Sequence, residues 1–207
     1  MAPLTPGFLA PVSISRPRGS RRIDVYSPKL RRRLQCFGEA IYHQCLCLEA
    51  DPTVLTYCER PVYLTIGNEK HLADFWARQV DREWILFVGD STPSSMARIG
   101  AVEYEVRAVP AAELAAARVW IENWERILPV VTSCQDLLMT PLLDAVRRFV
   151  YKPTQLTHIE QEFASMDLIL VRAAAFTLVH SGRLSAPSLW TEPLSLLTHF
   201  EPAEGKP

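Results

Sequence analysis

The chain has 207 residues, 48% of them hydrophobic, a mean hydropathy of +0.03 and a formal net charge of −1. That length holds one large domain or two small ones in an ordinary globular composition, and no apolar run is long enough to span a bilayer. Five cysteines, an odd number, behind an N-terminus that makes a poor signal peptide argue against a disulfide framework and for a cytoplasmic location.

The even balance of charge hides an asymmetry. Residues 1–33 hold eight basic residues (Arg16, Arg18, Arg21, Arg22, Lys29, Arg31, Arg32 and Arg33) against one acid, Asp24. The remainder holds 14 basic and 22 acidic residues. A basic arm on an acidic body suits a polyanion contact placed at one end, or else a solvated tail.

Residues 1–22 are rich in Pro, Ser and Arg without an apolar period and read as a flexible arm. From Pro28 the spacing of Leu30, Leu34, Phe37, Ile41, Cys45 and Leu48 predicts a helix that ends before Pro52. Strands are predicted over 61–66, 71–78, 84–88 and 102–107, with a turn at Gly67-Asn68 and a loop over 89–100. A helix follows Pro110 with Leu114, Trp120 and Trp124 on one face. Residues 127–131 read as a short buried strand, and 135–151 as another helix. Beyond Lys152-Pro153 come a helix over 155–165, then Asp167 as N-cap of a helix over 168–180 with Gly182 after its end. Leu194–Phe200 reads as a strand after a turn at Glu192-Pro193, so two helices and a β-hairpin suggest a small winged-helix unit.

Hard oxygen ligands on adjacent elements of a small sheet are how a nuclease holds magnesium. Glu39 on the first helix and Asp74 at a strand end are the candidates. Cys45, Cys47, Cys58, His43 and His71 invite a zinc reading. Cys45 and Cys47 point to different faces of a helix, however, and the spacing matches no zinc ribbon or finger.

The order of several short motifs resembles the TnsA-like endonucleases, subunits of heteromeric transposases. Glu39 matches the helical Glu of that family. Cys58-Glu59-Arg60-Pro61 stands where Glu-Gln-Pro would be, and Ala73-Asp74-Phe75 where Pro-Asp-Phe would be. Residues 124–132 resemble the strand that closes the nuclease sheet, and residues 171–189 the winged-helix half. The resemblance implies a restriction-endonuclease-like mixed sheet flanked by helices over 23–151, followed by a winged-helix domain over 152–207. It implies Glu39 and Asp74 as catalytic residues and metal ligands, Mg as cofactor if the site is active, and DNA, a transposase and an ATPase as partners.

The chain departs from that pattern where the family has Gln or Glu, any residue, then Lys. Here it reads Phe87-Val88-Gly89, so the third ligand and the lysine are both missing there. Glu105 and Arg107 are a displaced substitute, although an arginine does not lose its proton. The expectation is a DNA-binding subunit with a degraded nuclease site. The alternatives are an active magnesium-dependent endonuclease cutting at transposon ends and a winged-helix DNA-binding regulator. The DNA contact is placed on Arg16–Arg33, because the second helix of the C-terminal unit carries only Arg172.

Overall fold

The computed structural model describes residues 8 and 10–203, apart from 67 and 93. The described chain divides into two compact units, one formed by residues up to 49 and 53–116, the other by 50–52 and from 117 onward. The division between the compact units falls at 116/117.

The first unit opens with an extended segment. Of the expected arm, residues 1–7 and 9 lie outside the described residues. Phe8 packs its ring on Trp76 and Tyr104, with centroids 5.7 and 6.0 Å away. The Val12 N–H donates to the Arg60 carbonyl at 2.8 Å. The chain then forms an antiparallel hairpin, β1 (Arg22–Ser27) and β2 (Arg32–Phe37). The helix expected from Pro28 is thus a hairpin as far as Phe37. Leu34 and Cys36 are buried while Arg33 is exposed, the period of a strand. Arg31 closes the turn with φ 51°. Gly38, with φ 105°, lets its own N–H donate to the Arg21 carbonyl and starts α1 (Glu39–Ala50).

Next come β3 (Thr56–Glu59), the hairpin β4 (Tyr63–Ile66) and β5 (Glu69–Leu72), then β6 (Phe75–Arg78) and β7 (Glu83–Val88). The single strand expected over 71–78 is broken at Ala73-Asp74 into β5 and β6. Within the expected loop over 89–100 lies a short strand, β8 (Met96–Ile99), which leads into β9 (Val102–Val109). The five-stranded sheet has the order β3-β6-β7-β9-β8, antiparallel except for the parallel pair β7/β9. Register sets Cys58, Trp76, Ile85 and Val106 side by side on one face, where they form a core with Leu64 and Ala73. A short helix, α2 (Ala111–Ala116), ends the unit; the Asp90 carboxylate accepts its first N–H at 3.3 Å.

The second unit begins with α3 (Arg118–Cys134), which runs through the stretch read as a strand. Trp120, Ile121, Trp124, Ile127, Leu128 and Val131 are all buried, at three- and four-residue spacing. An interior proline costs about 3 kcal/mol, and burying that stripe offsets it at roughly 1.5–3 kcal/mol per large apolar side chain. Buried Asn123 donates to the carbonyls of Leu189 and Glu192 and accepts from the Leu194 N–H, holding the 189–194 segment on α3.

Then follow α4 (Thr140–Phe149), β10 (Thr154–Gln155), α5 (Leu156–Glu162) and α6 (Leu168–His180). Asp167 caps α6 by accepting the Ile169 N–H, and Gly182 follows with φ 69°. After β11 (Leu184–Ser185) and a 3-10 turn over Pro187–Trp190, β12 (His199–Pro202) closes a small antiparallel sheet of order β10-β12-β11. The strand expected over 194–200 is confined to this C-terminal piece. No helix among the described residues is long and apolar enough to cross a membrane.

Candidate functional site

The basic residues expected to touch a polyanion separate into distinct roles. Lys29 donates its Nζ to the Leu48 carbonyl in the last turn of α1. Arg32 clasps Glu59 through two parallel hydrogen bonds, Nη1 to Oε1 at 2.8 Å and Nη2 to Oε2 at 2.5 Å. Glu59 is 1% exposed, so the pair joins β2 to β3 and neutralises a buried carboxylate. Arg22 lies 3.0 Å from Asp24 at the surface. Arg16, Arg18, Arg21, Arg31 and Arg33 are exposed.

Arg22, Arg32 and Arg33 converge, with Arg60, on a cleft of about 490 Å³. Its far wall is the extended segment 11–14. Both acids that line it, Asp24 and Glu59, face arginines, which leaves the cleft with a surplus of positive charge.

Arg60 was not singled out from sequence, and it is the most constrained of the four. Its backbone adopts φ 46° immediately before a proline, a conformation that costs free energy in a residue with a Cβ. Its N–H donates to the Asp74 carbonyl at 2.7 Å, and its guanidinium reaches the Gln35 carbonyl and lies over the Phe37 ring, 5.1 Å from its centroid. The sequence carried no local signal for it, since the burial of Glu59 and the left-handed turn at Arg60 are set by tertiary structure.

The two candidate metal ligands occupy unlike environments. Glu39 begins α1 with its side chain 79% exposed, and the His43 Nε2 one turn on lies 3.9 Å from its carboxylate. Asp74 sits at the break between β5 and β6, where its Oδ2 accepts the Val88 N–H at 2.7 Å. Burial raises its pKa above the ordinary aspartate value, and that hydrogen bond opposes the rise. Phe87 packs on the hydrophobic core, and Gly89 donates its N–H to the Val109 carbonyl. The third-ligand position therefore offers backbone to Asp74 and no carboxylate or amine.

Glu105 and Arg107 lie on the exposed face of β9, and Arg107 is engaged by Glu113 at 2.6 Å. Among the described residues no group of three or more His, Cys, Asp or Glu side chains could hold a metal ion. The donor set does not fit a magnesium centre, nor does it gather the cysteines and histidines for zinc. Cys58, its pKa raised by burial to about 11, is a buried apolar thiol.

One further carboxylate escaped the sequence reading. Glu49 is buried at the end of α1 and accepts from Ser27 Oγ and the Tyr57 hydroxyl, each at 2.6 Å, and from the Lys29 N–H. It ties the hairpin turn and β3 to α1. No local feature of Leu48-Glu49-Ala50 announces that burial.

No protein-family model and no curated protein matches the chain.

The two adjacent arginines of β2 should separate cleanly by function. Arg32→Met removes both close hydrogen bonds to the buried Glu59, leaving only Arg60 at 3.9 Å, and is expected to cost about 3 kcal/mol in denaturant unfolding. Arg33→Met, at an exposed site, should stay within about 0.5 kcal/mol.

Asp74 should govern a pH dependence. With its folded pKa raised, its contribution is intact below about pH 3.9 and is lost as pH rises through the folded value. Asp74→Asn removes that cost and can still accept the Val88 N–H. Its thermal midpoint relative to wild type should therefore climb as pH rises from about 4; a difference that stays constant from about pH 4 to 7 would contradict the assignment.

Proposed function

We propose that this chain is a DNA-binding subunit of a transposon machinery, TnsA-like in kind. Its first unit is a nuclease-type fold with a degraded catalytic site, acting in DNA-end processing or as an adaptor to a transposase or ATPase. The observation that carries the reading is the cleft in which four arginines, Arg22, Arg32, Arg33 and Arg60, meet two acids, Asp24 and Glu59. A surplus of guanidinium groups beside exposed backbone suits phosphodiester oxygens.

The order of elements supports the family reading. A helix opening on an acid leads into three antiparallel strands, with Asp74 at the head of the middle one, and then into a parallel fourth. From α4 onward the second unit runs helix, strand, two helices and two strands, with the first strand pairing with the last, the arrangement expected of a winged helix, and α3 precedes it. Its α6 is buried over most of its length and carries a single arginine, Arg172, held by Glu160 at 2.7 Å. That helix is poorly equipped for phosphate, so we assign the DNA contact to the first unit. Among the described residues no group of three metal-ligating side chains forms, which favours the degraded site over an active endonuclease.

Binding to a labelled duplex of mixed sequence, followed by anisotropy across a salt series, tests this. The logarithm of the affinity should fall linearly with that of salt concentration. Arg31→Gln, Arg33→Gln and Arg18→Gln should each lower the slope, by about one for each phosphate no longer neutralised. Arg172→Gln should leave it unchanged. A flat salt dependence, or a slope that responds only to Arg172, would reject the proposal.

A further inference from the structure

β8 is an edge strand of the five-stranded sheet and β4 has an outer edge in the β4–β5 hairpin, and these two edges line one trough. β8 pairs only with β9, and β4 only with β5. The cleft between them, about 480 Å³, is bounded by residues 62–65 on one side and by residues of the 94–100 stretch on the other. Leu64 of β4 and Ala97 of β8 belong to one buried cluster, with Ile99 packed against it.

The ladders fix which backbone groups face the trough. The Ala73 N–H donates to the Val62 carbonyl, so 62 and 73 form a hydrogen-bonded pair. By alternation Leu64–His71 is the next, and Tyr63 and Thr65 turn their N–H and C=O groups away from β5. The Val106 N–H donates to the Ser95 carbonyl, so Ala97 and Ile99 bond to β9 while Met96 and Arg98 turn outward. Ser94 Oγ blunts the first of these, donating to the Met96 carbonyl at 2.8 Å and lying 3.3 Å from its N–H. Arg98 is left with an open backbone, and its exposed side chain makes no ion pair among the described residues, although Glu103 is its register partner.

We propose that this trough receives an extended segment of a partner protein as an added strand, paired with Arg98 on one side and with Tyr63 and Thr65 on the other. Strand addition draws its affinity from main-chain hydrogen bonds and its selectivity from alternate side chains. Every second residue of the segment falls on the cluster around Leu64 and Ala97 and is apolar. A residue between them lies beside Arg98 and is acidic. The proposal is independent of the DNA-binding reading.

The test uses the full chain and a fluorescent peptide of about eight residues, alternating valine and threonine with one central aspartate. Saturable binding is expected, with slowed amide exchange at Tyr63, Thr65 and Arg98. The same peptide N-methylated at alternate residues should bind about tenfold more weakly or worse. Thr65→Pro removes an outward donor without touching the hairpin ladder and should weaken binding similarly. Arg98→Glu should weaken binding of the aspartate peptide and favour one with lysine in its place, which keeps the test valid if Thr65→Pro does not fold. No saturable binding up to about 1 mM overturns the proposal, as does equal binding of the N-methylated peptide. Concentration-dependent protection of the same amides without peptide, with dimer in sedimentation, also overturns it by making a second copy the occupant.

Discussion

The ion pair between Arg32 and Glu59 sets the character of the first unit. A carboxylate 1% exposed is tolerable only when a cation and its hydrogen bonds replace lost water. Arg32 supplies both through a planar fork that matches the carboxylate, which a lysine could not do. The pair also fixes where the β1–β2 hairpin meets β3, and so where Arg33 and Arg22 stand relative to Arg60. With Glu59 held by Arg32 and Asp24 by Arg22, the cleft still carries two more arginines than acids, and Arg33 stands exposed on its rim.

The two carboxylates expected at a nuclease centre follow different physics. Asp74 is desolvated and partly committed to the Val88 N–H, while Glu39 stands in solvent at the start of a helix, where its charge suits the helix dipole. A metal centre would need further oxygens converging on both. At the decisive position the chain instead runs Phe87-Val88-Gly89, with Phe87 packed on the core and the backbone of Val88 and Gly89 spent on hydrogen bonds. Under the proposed reading, a half-buried carboxylate without a second ligand is what remains when a site loses its chemistry and keeps its fold.

Much of this architecture was legible in the sequence, and the failures have identifiable causes. Glu39 was placed on a helix, 84–88 and 102–107 on strands, and Asp167 and Gly182 at the ends of α6, because caps, alternation and turn glycines act locally. The β1–β2 hairpin was hidden because Leu34 and Phe37 fit a three-residue spacing that continues into the real helix at Ile41 and Cys45. In α3 the run Ile127-Leu128-Pro129-Val130-Val131 has strand composition and a proline, yet the buried stripe from Trp120 to Val131 outweighs both. Nothing local announces that Arg60 adopts a left-handed backbone or that Glu49 is buried, since both depend on chain distant in sequence. The cleft was half legible: the basic run around β1 and β2 supplied Arg22, Arg32 and Arg33, but only tertiary structure brings Arg60 to them.

The most direct test of DNA binding at the arginine cleft is an amide-exchange footprint of the full chain with and without duplex DNA at low salt. Protection concentrated on residues 10–14, on the β1–β2 hairpin and around Arg60 is the predicted result. Protection confined to α6 and its flanks, or none despite measurable binding, would contradict the placement of the DNA contact in that cleft.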